Sequence, residues 1–371
     1  MFFHDTDIFT ISSIGTTYEM EGYIMNVGTA RMAATKWVRQ NASLESWFLG
    51  AYFSGSTVGL PDHTELSASS DIDIVIVVDE DEPPLKLGKF EYEGVLIEVT
   101  YLTFKQLEST EEVLTNYHLA GSFRIDSIIS DPTGYLRKLQ TEVSEHFADI
   151  EWVRRRCQNA HAKIEQGLQA IDLSAPLYDR ITSWLFPTGV TTHLLLVASL
   201  QNPTVRLRYL ATRHVLNEYT HPDVYPKLLD LLGCSHLTPT RIEYHVEQLA
   251  RTFDAATSVA HTPFFFSTDI TKAARPIAID GSLHLIRGGF HLEAVFWIVA
   301  TFARCHKILA ADASPIIQLE HISAFEELIS DLGISSGKVL LDRSEQVKRY
   351  LPTLWDVAED IMLANPNIRN K

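Results

Sequence analysis

The sequence predicts an α+β fold in which a small mixed β-sheet flanked by helices occupies residues 1–145 and an all-α helical bundle occupies 146–371. Three observations carry this. Short β-branched runs alternate with helix-period segments only up to about residue 145. Beyond it, long amphipathic segments broken by turn signals run nearly to the end. Finally, 371 residues exceed the size at which one core usually stops growing, so two domains are expected. The boundary falls within 138–155, where a continuous helix could blur the division.

Taken in order, "MEGYIMNVGTARMAATKWVRQN" (20–41) spaces its apolar residues for a helix, and "SWFLGAYF" (46–53) reads as a strand ending at Gly55. After a long polar loop, the β-branched run "SDIDIVIVV" (70–78) predicts a second strand that stops at the acidic turn "DEDEPP". "KFEYEGVLIEVTYL" (89–102) reads as paired strands turning near Gly94, and "FKQLESTEEVLTNY" (104–117) returns to helix. "SDPTG" (130–134) is a turn with Asp131 as its cap. In the second half, Asn202-Pro203 predicts a helix start and Gly233 a helix stop. Arg206 and Arg213 then fall two turns apart on one helical face, within reach of a triphosphate or of interdomain partners.

Composition narrows the function classes. Hydrophobic residues make up 46% and charged residues 21%, the profile of a folded soluble protein. A net charge of −16 argues against a broad surface for nucleic acid or anionic lipid. Cys157, Cys234 and Cys305 are far apart and form no CxxC pair, which suits a reducing cytoplasm and no structural zinc. No basic region leads into an apolar one at the N-terminus, so no secretion signal is expected. The apolar tracts 189–200 and 291–303 fall short of the roughly 18 to 20 residues of a membrane span, and buried core helices are expected there.

The stretch "YFSGSTVGLPDHTELSASSDIDIVIVV" (52–78) carries the chemistry. Side chains two apart on a strand face the same way, so Asp71 and Asp73 point together while Ile72 and Ile74 pack inward. Two such carboxylates repel unless a cation lies between them, and magnesium suits a site of one or two carboxylates plus phosphate oxygens. Upstream, Gly55 permits close approach to a phosphate and Ser56 offers a hydroxyl; a helix starting near Thr57 would aim N–H groups at the anion. A third carboxylate is expected from a neighbouring strand if two metals bind. Glu98 stands in the middle of the apolar run "VLIEVTYL" and ranks ahead of Glu91 and Glu93, although a buried Arg or Lys could also satisfy it. Asp79 to Glu82 read as a solvated strand end, and His63 as a surface loop residue. Cys305 and His306 read as structural, and His284 and His291, separated by Gly288 and Gly289, form no metal site.

Over residues 45–103 this pattern resembles the nucleotidyltransferase superfamily that includes DNA polymerase beta and the antibiotic nucleotidyltransferases. The matching residues are Gly55, Ser56, Asp71 and Asp73, with Gly59 as the loop glycine and Glu98 in the position of the third acid. The loop between Ser56 and Asp71 is longer than the compact form of the motif, lacks an arginine near Gly59, and the third acid is Glu rather than the commoner Asp. The resemblance implies a magnesium-dependent transfer of a nucleoside monophosphate from a triphosphate, with ATP expected, and with one or two Mg2+ held by Asp71, Asp73 and Glu98. Gly55, Ser56 and Gly59 would hold the nucleotide, and an acidic chain favours a small acceptor such as an aminoglycoside-like antibiotic. A protein acceptor and a nucleotide-sensing role without turnover are the alternatives.

Overall fold

The structure, a computed structural model, describes residues 25–67 and 70–370. The first helix, α1 (Val27–Gln40), is capped by Asn26, whose side chain accepts the Thr29 N–H at 2.8 Å. The earlier start expected at residue 20 lies outside the described residues. β1 (Phe48–Ser54) runs into a single 3-10 turn, Gly55–Thr57. β2 (Ile72–Val78) follows, then the hairpin of β3 (Gly88–Tyr92) and β4 (Val95–Thr103), closed by Glu93 and Gly94, both at positive φ.

The helix expected over 104–117 is mostly absent. A 3-10 turn occupies Phe104–Leu107, and α2 (Thr110–Thr115) is a six-residue helix that begins at the Ser109 cap. A short strand, β5 (Ile128–Ser130), pairs with β1 and was not foreseen, since three residues carry no periodicity. Asp131, in the turn before the next helix, α3 (Tyr135–His146), accepts the Arg137 N–H of its first turn at 2.9 Å, while Gly134 is the N-cap residue.

The sheet order is β3-β4-β2-β1-β5, with β2 and β4 parallel and the other neighbours antiparallel. Alternation along β2 supplies both of its faces. Ile72, Ile74, Ile76 and Val78 pack with Ala30, Ala34 and Val38 of α1, while Val75 and Val77 pack with Tyr52, Val113, Leu136 and Leu139 on the other face.

The remaining chain is helical: α4 (Ile150–Gln169), α5 (Leu177–Ala198), α6 (Arg208–Glu218), α7 (Val224–Leu232), α8 (Pro239–Val259), α9 (Gly281–Arg287), α10 (His291–Asp312), α11 (Pro315–Asp331) and α12 (Gly337–Ala364). Gly233 ends α7 in the left-handed region, φ 85°. α10 lies at the centre, buried continuously from Glu293 to His306, and Cys305 and His306 are core residues. Burying Val295, Phe296, Ile298 and Phe302 stabilises this core by about 1.5–3 kcal/mol per side chain. The apolar tracts sit in α5 and α10, each 22 residues long, so both helices pass the length and composition of a span. In this fold 78% of each apolar window is buried against other helices.

Asn202-Pro203 does not start a helix. The chain leaves α5 through Leu200 at φ 63°, with the Gln201 N–H closing onto the Leu196 carbonyl at 2.8 Å, and α6 begins only at Arg208. The intervening loop crosses to the sheet, where the Asn202 side-chain amide reaches the Gly55 carbonyl at 3.4 Å.

A second seam joins β3 to a turn at Ser267–Asp269. Gly88 makes it possible: its φ is +72°, and a Cβ there would lie 1.9 Å from Thr268. Gly88→Ala therefore loses about 1–3 kcal/mol of stability. Gly94→Ala, at a similar φ of +76° but with nothing near the added carbon, loses distinctly less. Thermal melts of the two variants check this, and equal melting points would contradict it.

Candidate functional site

Strand register brings the polar residues into line. Lys89 pairs with Glu98, Glu98 with Asp73, and Asp73 with Ser54, so one rung of the sheet reads Lys-Glu-Asp-Ser across four strands. Cross-strand partners project to the same face. That face is apolar along Val75 and Val77 and turns polar at the rung, the end of β2 that opens toward the helices.

Asp71 stands one residue before β2 and joins the rung from its edge. Oxygens of Asp71, Asp73 and Glu98 all lie within 4.8 Å of one another. Gly55 explains how Asp73 fits: at φ +74° its Cα lies against the Asp73 carboxylate, and a Cβ would fall 1.8 Å from Oδ2. The glycine thus makes room for the carboxylate as well as for any phosphate. No helix follows the Gly-Ser pair, only the three-residue 3-10 turn, so the expected dipole end is missing and the anion donors there are the turn's own N–H groups and the Ser56 hydroxyl.

The cavity over the rung has a volume of about 310 Å³. Its sheet wall holds Gly55, Ser56, the three carboxylates and two lysines, Lys86 and Lys89. The opposite wall is helical and comprises the 203–207 loop with Arg206, then Asp269, Ile277, Trp297 and Arg304. Gly59 is elsewhere and lines a neighbouring cavity with Arg31 and Ile125.

Ion pairs knit the two walls together. The Lys89 ammonium lies 3.1 Å from Asp71 and 3.0 Å from Asp269, and it also bonds Glu98; Lys86 bonds the other Glu98 oxygen. Arg304 donates to Asp269 at 2.8 Å and lies over the rings of Trp297, Phe186 and Phe266 at 5.2–5.5 Å. Burial pushes the Asp269 carboxyl up, but Lys89, Arg304 and Lys86 outweigh it and hold the group below the usual carboxylate range. Burial likewise opposes the charge of Lys89, yet Asp269, Asp71 and Asp73 keep it above the ordinary lysine value. The Trp297 indole N–H is buried without a partner among the described residues, 8% exposed at the cavity wall.

Asp73 is the under-compensated member. Burial, then repulsion from Asp71, push its carboxyl up to about 7. A hard divalent cation fits Asp71 and Asp73, because it would relieve both causes. Glu98 differs, since two ammonium groups already satisfy it.

The two arginines part company. Arg206 lies in the loop before α6 and faces Asp71 across the cavity, whereas Arg213 sits on α6 and pairs with Glu293 at 3.0 Å, away from the site. The helical face expected to carry both does not exist.

Lys86, Lys89, Asp269, Arg304 and Trp297 were not foreseen from the sequence. Lys89 was within reach: a two-residue turn at 93–94 makes paired positions sum to 187, which puts Lys89 opposite Glu98. Asp269 and Arg304 carry no such local signal.

No protein-family model and no curated protein matches the sequence. Among solved structures, the chain is similar to a nucleotidyltransferase-like protein from Exiguobacterium sibiricum 255-15, with 14% identity over 81% of this chain and 88% of that one, at a TM-score of 0.29. So loose a superposition carries no argument about chemistry.

The raised Asp73 carboxyl sets a pH dependence. Its protonation is favoured in the folded state, so the stability this contributes is fully present below about pH 4 and is lost as pH rises through 7. Asp73→Asn should therefore melt above the wild type at pH 8, by on the order of 1–3 kcal/mol without added metal, and converge with it near pH 4. Equal melting at both pH values would contradict the assignment.

Proposed function

We propose that the protein is a metal-dependent nucleotidyltransferase that moves a nucleoside monophosphate, with ATP as the expected donor, onto the hydroxyl of a small molecule. The single observation that carries this reading is the cluster at the rung's end: a Gly-Ser turn packed against Asp73, with Asp71 and Glu98 gathered beside it in the cleft.

In this reading Asp71 and Asp73 hold magnesium. The ion supplies Lewis-acid polarisation of the phosphate oxygens and a template for in-line displacement. Gly55 and Ser56 orient the triphosphate through backbone N–H groups and the Ser56 hydroxyl. Arg206 and the two lysines provide fixed positive charge toward the β- and γ-phosphates. The acceptor oxygen forms a bond to the α-phosphorus, the bond from that phosphorus to the bridging oxygen breaks, and pyrophosphate leaves. The acceptor's proton passes to solvent as the new bond forms, and Glu98, with both oxygens bound by Lys86 and Lys89, holds the two ammonium groups in place.

The helical wall defines the acceptor's space. The cleft of about 310 Å³ is shared by the sheet wall and the helical wall, so the acceptor would enter from the helical side. Trp297 offers it an apolar ring and an unspent N–H, and Arg206 with Asp269 offers polar contacts. An aminoglycoside-like acceptor remains the proposed class, consistent with the net acidity of the chain. Cytoplasmic action follows as part of the same proposal.

Incubation with ATP labelled at the α-phosphorus, magnesium and a low-molecular-weight cell extract should move label to a small product and release pyrophosphate. Asp71→Asn or Asp73→Asn should slow this by on the order of 100-fold or more. Label that stays on the nucleotide while a parallel incubation with γ-labelled ATP labels the product, or full activity in either variant, would contradict the reading. A labelled protein band on a denaturing gel would contradict the small-molecule acceptor.

A further inference from the structure

We propose that Lys89 takes the place of a second metal ion, so that the pocket binds one divalent cation, on Asp71 and Asp73, while Glu98 serves as a lysine-bound carboxylate and not as a metal ligand. The inference rests on the reading of this pocket as a nucleotidyltransferase site and refines which groups carry positive charge there.

The backbone fixes the position of Lys89. The β3–β4 register sets it directly opposite Glu98, and Glu98 is in turn directly opposite Asp73. Its ammonium therefore enters the space between Asp71 and Glu98, where a second cation bridging the rung would sit, and it contacts both.

The lysine is also held there from the far side. Asp269 accepts from it at 3.0 Å and is itself held by Arg304, whose guanidinium is enclosed by three aromatic rings. The Lys89 side chain is only 8% exposed. Swinging it outward would leave the largely buried carboxylates of Asp71, Glu98 and Asp269 each short of a partner, which is costly. Lys86 closes the remaining Glu98 oxygen, and its side chain is 24% exposed. A divalent ion arriving beside Glu98 would meet two ammonium groups at contact distance, whereas Asp73 has no lysine or arginine contact within 4 Å among the described residues.

The assignment gives the lysines a role in the reaction. An ammonium at this position supplies fixed positive charge without needing to be loaded, and it holds Glu98 in a fixed orientation. Asp269 and Arg304 then act as positioning residues, reaching the rung from the helical wall through Lys89.

The test counts cations. The full chain is crystallised with Mn2+ and a non-hydrolysable ATP analogue, bound Mn2+ is counted by anomalous scattering, and the same count is made in solution by electron paramagnetic resonance. The wild type should hold one Mn2+, on Asp71 and Asp73, with Lys89 still contacting Glu98. Lys89→Met, with Lys86→Met added, should hold two, the second on Glu98. Two ions in the wild type would overturn the inference while leaving the nucleotidyltransferase reading intact, and so would a single ion in a folded double variant. No ion in the wild type would overturn both. Should the variants fail to fold, the wild-type count decides alone.

Discussion

Two carboxylates placed two residues apart at the head of a buried strand repel one another, and the architecture around them is arranged to hold that repulsion. Asp71 and Asp73 cannot move apart, because β2 is fixed by β1 on one side and β4 on the other. Gly55 yields its side-chain space to the Asp73 carboxylate. Lys89 compensates Asp71, and Asp73 is left with burial and repulsion that no ion pair offsets, which in the proposed reading is what would draw a cation. A structural explanation of the pair would put a permanent counter-ion beside Asp73, and the ion pairs of the pocket stop one residue short of it.

The helical half completes the site as well as covering it. Asp269 and Arg304 come from a turn and a helix far beyond the last strand of the sheet, yet they form one chain of charge with Lys89 and Glu98. The close approach depends on Gly88, and the loop carrying Arg206 is brought to the same cleft by Asn202 at Gly55. A relative shift of sheet and helices would therefore alter the pocket's charges directly, through Asp269 and Arg304 at Lys89.

What the sequence made legible follows the range of the interactions involved. The α+β class, the strand around Asp73 and the hairpin at Gly94 are local patterns, and each is present in the structure. Hairpin arithmetic would also have put Lys89 opposite Glu98. The sequence around α2 suggests a longer helix because a 3-10 turn and a cap share its apolar spacing, and β5 is too brief to show a period. The charge of Arg206 is visible in the sequence, but its place is not, because Asn202-Pro203 has the pattern of a helix start and the left-handed exit at Leu200 carries no local signal. Asp269 and Arg304 are ordinary surface-type residues in a one-dimensional reading. Only the tertiary packing of the turn against β3 makes them part of the site.

The most direct measurement is a calorimetric titration of nucleoside triphosphates into the full chain with and without magnesium, alongside the Asp71→Asn, Asp73→Asn double variant. The account predicts binding that requires magnesium, prefers one base and falls at least about tenfold in the variant, a loss of about 1.4 kcal/mol or more. Equal binding by the folded variant, or binding indifferent to magnesium, would contradict the claim that the paired carboxylates hold a cation for a nucleotide.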